Sequence, residues 1–264
     1  MDKQLILDLT NKLDIYETKV FKDLLKNHSI SSASFKQVVL TEIKKTPKLL
    51  EAFQSNPSSL FASIIFCAQI GLMPSNNLGQ FYFGVDQTQN GYLVKSIIGY
   101  QGLVAILLRG GDIVNISAET VHEGDEFEYE LGLEPILKHK PLDEMRTAFT
   151  LTHVYCVATL KSGHKTFKVM SRRELLATIN MQKDKSDFYF NDAKDSNHWM
   201  LKKMVLKQMS KFLPKDYAGT LAISTDNAVE GGNTLDLDDE NNVIVTKIVT
   251  DSKEKSMFKD VDLD

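Results

Sequence analysis

The sequence predicts an α+β fold: N-terminal helices, a central twisted, mostly antiparallel sheet with an inserted helix, C-terminal core helices, then an acidic, largely disordered tail. Three observations carry this expectation. Apolar residues recur at steps of three or four up to about residue 70, and alternate with polar ones beyond it. Asn90-Gly91 lies between two runs rich in β-branched and aromatic residues, which is a hairpin signal. After Pro214 the composition shifts to Gly, Asn, Asp and Glu. The 264 residues suffice for one large domain plus a tail, so the core is assigned to residues 1–214 and an acidic linker and tail to 215–264.

In chain order, Leu5, Leu9, Leu13, Tyr16, Val20 and Leu24 keep helical spacing. Ser31 or Ser32 can cap a second helix with Phe35, Val38, Val39 and Ile43 on one face. Pro57 opens a third, Leu60 to Ile70, which Gly71 closes. It is apolar nearly all round, which predicts a buried central helix. Gln80 to Val85 and Tyr92 to Ile98 read as paired strands, and Tyr100 to Arg109 returns to helix. Ile113 to His122, Phe127 to Leu131 and Phe149 to Leu160 are expected as strands, and Ser162-Gly163 turns the last of these into Lys165 to Met170. Ser171 and Glu174 form a capping box for another helix. A further helix spans about Asn197 to Leu213. Asp226 to Asn242 reads as a linker and Val243 to Val249 as one short strand.

Composition excludes several classes. No apolar run reaches the roughly 18 residues of a membrane helix; Leu60 to Met73 is interrupted by Ser63, Gln69 and Gly71. Met1-Asp2-Lys3 does not begin a secretory signal. Cys67 and Cys156 sit alone in apolar segments, so a disulfide scaffold or zinc site is not expected and the cytoplasm is the default compartment. The net charge of −4 hides an asymmetry: 12 acids and 5 lysines from Lys215 onward, against 23 acids and 26 bases before it. There is no phosphate-binding Gly-rich loop ending in Lys; Gly79 to Gly84 is followed by Val85 and Asp86.

Two segments remain as candidates for chemistry. Glu123 to Glu130 is acidic, with Glu126, Glu128 and Glu130 on one face of a strand and Phe127, Tyr129 and Leu131 on the other. Glu123, Asp125 and Glu126 suit a Mg²⁺-dependent nuclease, or else simply a half-buried strand with a solvated face. The last core helix places Lys203, Lys207 and Lys211 at i, i+4 and i+8, flanked by Lys202, with no acid inside the stretch. Three ammonium groups on one face repel one another, and a polyanion relieves that cost. Aromatic residues add a second signal. Tyr82 and Tyr100 are candidates for stacking on unpaired bases, close in sequence to Lys95, Gln101 and Arg109. Arg172 and Arg173, at the start of a capped helix, suit a phosphate.

Taken in order, Cys67-Ala-Gln-Ile-Gly-Leu-Met-Pro74, Ile97-Ile-Gly-Tyr-Gln-Gly102, the Val121 to Gly132 segment, Lys138-His-Lys-Pro141, Thr152-His-Val-Tyr155, Val169-Met-Ser-Arg172 and the helix ending Phe212-Leu-Pro214 resemble the RecT family of phage single-strand annealing proteins. The resemblance spans about residues 35–214. It departs from the family at Met204, where members commonly carry Thr after the Lys-Lys pair, and between Ile179 and Trp199. It implies a protein that coats single-stranded DNA in a basic groove and anneals it to a complement without ATP. It implies rings or helical filaments, and partnership with a phage exonuclease and the host single-strand binding protein. It favours the acidic segment as part of the fold.

On that basis Lys203, Lys207, Lys211, Lys202, Arg172, Arg173, Arg109 and Lys95 are expected along the phosphates, with Tyr100, Gln101, Trp199 and Tyr82 near the bases. No cofactor is expected: no ATP, and Mg²⁺ at most in support of annealing, without a site. The acidic tail, Asp236 to Glu240 and Asp260 to Asp264, is expected to repel DNA, recruit a partner or only solubilise. A nuclease and a purely structural oligomer, whose basic helix mates with acidic tails of its neighbours, remain the rivals.

Overall fold

The computed structural model of the chain describes residues 3–89, 91–143, 146–181 and 188–247. Five helices come first. Helix α1 (Lys3–Tyr16) continues through a π-helical turn (Glu17–Phe21) into the short α2 (Lys22–Leu25), followed by α3 (Ser32–Lys45), α4 (Pro47–Ser55) and α5 (Pro57–Gln69). Ser31 caps α3 as expected, its hydroxyl accepting from the Ser34 amide. Helix α4 has no counterpart in the sequence reading. It is nine residues long, starts on Pro47 directly after α3, and buries Leu49, Leu50 and Phe53. Helix α5 is the centre of the core, buried at every residue from Ser59 to Ala68. Asn56 caps its start, and Gly71 ends it in the left-handed region at φ +61°.

Among the described residues the strands pair antiparallel and form four small sheets. Strands β1 (Phe81–Thr88) and β2 (Gly91–Ile98) make the expected hairpin, with Phe81 opposite Ile98. Helix α6 (Tyr100–Arg109) follows within two residues. The loop before β1 lies directly on the first turn of α6. A Cβ on Gly99 would stand 2.1 Å from the Gly79 carbonyl oxygen, and one on Gly102 would stand 2.1 Å from that of Gln80. Only glycine allows this approach at either position.

Strand β3 (Ile113–His122) pairs with β6 (Leu151–Leu160), and β6 with β7 (Lys165–Ser171), giving a sheet of order β3-β6-β7. Between β3 and β6 the chain makes a separate hairpin from β4 (Glu126–Glu130) and β5 (Ile136–Lys140). The alternation predicted for the acidic segment is observed. Glu126 and Glu128 form cross-strand ion pairs with Lys140 and Lys138, while the Phe127 ring stacks on Tyr155 of β6.

Helix α7 (Arg172–Met181) carries the predicted capping box: the Glu174 carboxylate accepts from the Ser171 amide and hydroxyl, and Ser171 Oγ accepts from the Glu174 amide. Helix α8 (Trp199–Ser210) starts after His198, which is left-handed at φ 54°. The Asp195 carboxylate takes the place of a cap, accepting from the Met200 amide at 2.9 Å.

The segment expected to be a linker is a correction. Helix α9 (Tyr217–Glu230) and the hairpin of β8 (Asn233–Leu237) and β9 (Val243–Lys247) pack on the core. Asp216 caps α9 through the Gly219 amide, and Ala222, Ile223, Val229 and Leu235 are buried. The Leu237 amide donates to Ser58 Oγ on α5. Small and polar residues hid this helix, because its inward stripe mixes Ala, Thr and Asp with only two large apolar side chains. Residues 248–264, including the acidic run from Asp260 to Asp264, lie outside the described residues. No described helix is long and apolar enough to cross a membrane.

Candidate nucleic-acid interface

Helix α8 packs against α6 and strands β6, β7 and β3, so its first turn meets the first turn of α6. There Trp199 lies against Tyr100, with ring centroids 5.2 Å apart. Tyr100 is buried, which pushes its phenol well above the ordinary tyrosine pKa. Trp199 remains 41% exposed. The Lys202 ammonium stands 4.9 Å from the centre of the indole and 3.4 Å from the Glu119 carboxylate. An indole so placed is braced by a buried ring, charged at its side and open to solvent. Gln101, exposed on α6, and the Tyr82 hydroxyl both approach Gly79, within 3.5 Å of where a Cβ would stand. Five of the predicted residues, Tyr82, Tyr100, Gln101, Trp199 and Lys202, therefore share one neighbourhood built by the ends of two helices and a glycine-dependent loop.

The lysine stripe lies further along α8, facing a cleft of about 220 Å³ between α7, α8 and α9. The sequence offered no acid inside α8 to neutralise it; α9 supplies two. Lys203 Nζ is 3.0 Å from Asp226 and 3.3 Å from Glu230, and Lys207 Nζ is 2.6 Å from Asp226 and 2.7 Å from Glu230. Burial disfavours the Lys203 ammonium, but the two carboxylates outweigh it and raise its pKa above the ordinary lysine value. Asp226 is likewise penalised by burial, yet the two lysines hold its carboxyl below the usual range. Lys211, the third of the stripe, is exposed, with its ammonium 2.7 Å from the Gln208 side-chain oxygen. Asp226 and Glu230 escaped the sequence reading because their segment was taken as linker. The Asp216 cap and the i, i+4 spacing of the two acids were the signals available.

The remaining candidates are placed elsewhere. Arg109 closes the end of α5: its guanidinium donates to the carbonyls of Ile70 and Gly71 at 2.8 and 2.7 Å and lies 2.9 Å from His28 Nδ1. Arg172 donates to the carbonyls of Ala148 and Leu151 and lies over the Phe190 ring. Lys95 is buried on β2 and pairs with Asp86 at 2.6 Å. Arg173 is exposed on α7.

The carboxylates of the nuclease alternative diverge. Asp125 turns inward and accepts from the amides of His122 and Leu142, from Arg146, and lies 3.0 Å from His139. Burial opposes its ionisation, but those partners outweigh it and hold the carboxyl well below the usual carboxylate range. Glu126 points outward to Lys140. Among the described residues no three His, Cys, Asp or Glu side chains converge as a metal site would require.

Comparison with known proteins settles the family. The RecT family model matches residues 33–244. This chain belongs to the RecT family. It is 35% identical to protein RecT of Escherichia coli (strain K12) over 196 residues, covering 72% of this chain and 69% of that relative. The match runs past Pro214 and through α9 and β8 to the start of β9, so the folded C-terminal segment is part of what the family shares. RecT membership makes this a DNA-binding protein of recombination that acts by single-strand annealing.

Proposed function

We propose that the protein coats single-stranded DNA along helix α8 and anneals it to a complementary strand without ATP, as an oligomer of rings or filaments. The observation that carries the proposal is the half-exposed Trp199 ring braced by buried Tyr100, with Lys202 beside it and Gln101 and Tyr82 close by. An aromatic face of this kind stacks on a base whatever its identity, worth about 1–3 kcal/mol per base. Lys202, Lys211 and Arg173 supply positive charge for the adjacent phosphates. A base stacked through its face keeps its pairing edge available. Forming the duplex then supplies the driving force, about 1.4 kcal/mol per base step, so no nucleotide is consumed. A phage exonuclease supplying the single strand and a host single-strand binding protein are the proposed partners, and the acidic residues beyond 247 are the proposed place for such a contact.

Replacing the indole tests the platform. Trp199→Ala should weaken binding of an oligothymidylate on the order of tenfold or more at fixed salt, the affinity expected from losing one stacked base. Wild-type affinity in a folded Trp199→Ala protein would remove the platform from the site.

A further inference from the structure

The four charges between α8 and α9 are not equivalent, and the difference points to a use. Asp226 is fixed: its side chain is 2% exposed, and it contacts both lysines from behind the cleft. Glu230 is 26% exposed and lines the cleft itself, together with Lys203, Lys207, Gln208 and Lys211. It is also the last residue of α9, followed by Gly231 and Gly232. A carboxylate is disfavoured there by the partial negative charge of the helix C-terminus. The two ammonium groups offset that cost, and the backbone after it is the most permissive type.

We infer that the cleft is a binding site for one phosphate of a nucleic-acid backbone, and that Glu230 occupies the phosphate's place in the free protein. The inference rests on the single-stranded DNA reading of α8. A phosphodiester entering between Gln208 and Lys211 meets the same two ammonium groups that Glu230 now holds. The exchange leaves neither lysine unpaired: Asp226 stays, one anion leaves and another arrives. This matters because a buried ammonium stripped of its partner is strongly destabilising, whereas one that trades partners avoids that penalty. Only the Glu230 side chain swings toward solvent, while α9 remains docked through Ala222, Ile223 and Val229. The arrangement also gives selectivity, since only a ligand carrying formal negative charge can replace a carboxylate on two lysines.

The test compares the full chain with Glu230→Gln, and with Glu240→Gln as a control for loss of one exposed acid. Each is titrated with an oligothymidylate of ordinary phosphodiesters and one of neutral methylphosphonates. A thermal melt establishes that each variant is folded. Glu230→Gln should bind the phosphodiester strand roughly 3- to 10-fold more tightly than wild type, the gain from removing a half-exposed competitor. It should show no gain on the methylphosphonate strand, and the gain should vanish when Lys207→Gln is added. Folded Glu230→Gln with unchanged or weaker affinity, or a gain matched by Glu240→Gln, would overturn the exchange. Wild-type protein that binds neither strand would overturn instead the DNA reading beneath it.

Discussion

Arg109 has structural partners that its sequence context does not report. It lies within nine residues of Tyr100, and the sequence placed it on the phosphate track. In the fold it holds the end of α5, where its guanidinium meets two carbonyls and His28. Its replacement is expected to act on stability. Arg109→Ala should lower the unfolding free energy by at least ~2 kcal/mol, because hydrogen bonds from a charged donor are worth about 1.5–3 kcal/mol each. Chemical denaturation measures this directly, and an unchanged midpoint would show that these contacts add nothing to stability. Lys203 and Lys207 have partners of a different kind. Their spacing on one helix face was legible from periodicity; the acids facing them lie on another helix, 19 or more residues along the chain, and no local pattern reports a partner at that distance. His122 carries a pH prediction. It is buried between Thr120 and Thr150, and burial, Arg146 and His198 depress its pKa from 6.5 to about 4. A histidine kept neutral in the fold but free to ionise when unfolded stabilises at high pH. That contribution is complete above pH 6.5 and is lost as pH falls toward 4. The melting temperature should decline over that window in wild type, and less steeply in a folded His122→Gln variant; equal slopes would remove His122 as a cause.

At the scale of elements the sequence was most legible where one local rule decides the outcome. Asn56 and Pro57 start α5, Gly71 stops it, and the Ser171–Glu174 box forms as its spacing predicts. The acidic β4 strand keeps its alternation because Phe127 and Tyr129 have ring partners on one side and the lysines of β5 stand on the other. Legibility failed where tertiary packing overrides composition. Helix α9 interrupts its apolar residues with Gly219, Thr220, Thr225, Asp226 and Asn227, yet it is held by α6, β2 and β8 and by its ion pairs to α8. Helix α4 was missed because its start, Thr46-Pro47, is hidden immediately behind the end of α3. The functional weight of α8 follows from both kinds of information. Its lysine spacing and Trp199 are written in the sequence. That Tyr100 backs the indole and that α9 guards the lysines depends on how α6, α8 and α9 pack.

For the whole molecule, the charge asymmetry seen in the sequence acquires a structural meaning. Part of the acidity beyond Lys215 folds back on the chain's own basic helix, so acids of the same chain, rather than a neighbour's tail, meet Lys203 and Lys207. The rival reading as a structural oligomer, built by basic helices docking on other subunits' acids, loses its main motive. On the proposed function, self-association joins successive α8 surfaces into one continuous track for the strand. The central claim, annealing through that track without nucleotide, is tested most directly by the protein's single tryptophan. Trp199 fluorescence is followed while full-length protein is titrated with a single-stranded oligonucleotide and then given its complement, with ATP absent throughout. The account predicts a change in emission on the first addition, a second change on the second, and duplex formation faster than for the bare strands. Emission that responds to neither strand, with duplex forming at the uncatalysed rate, would contradict it.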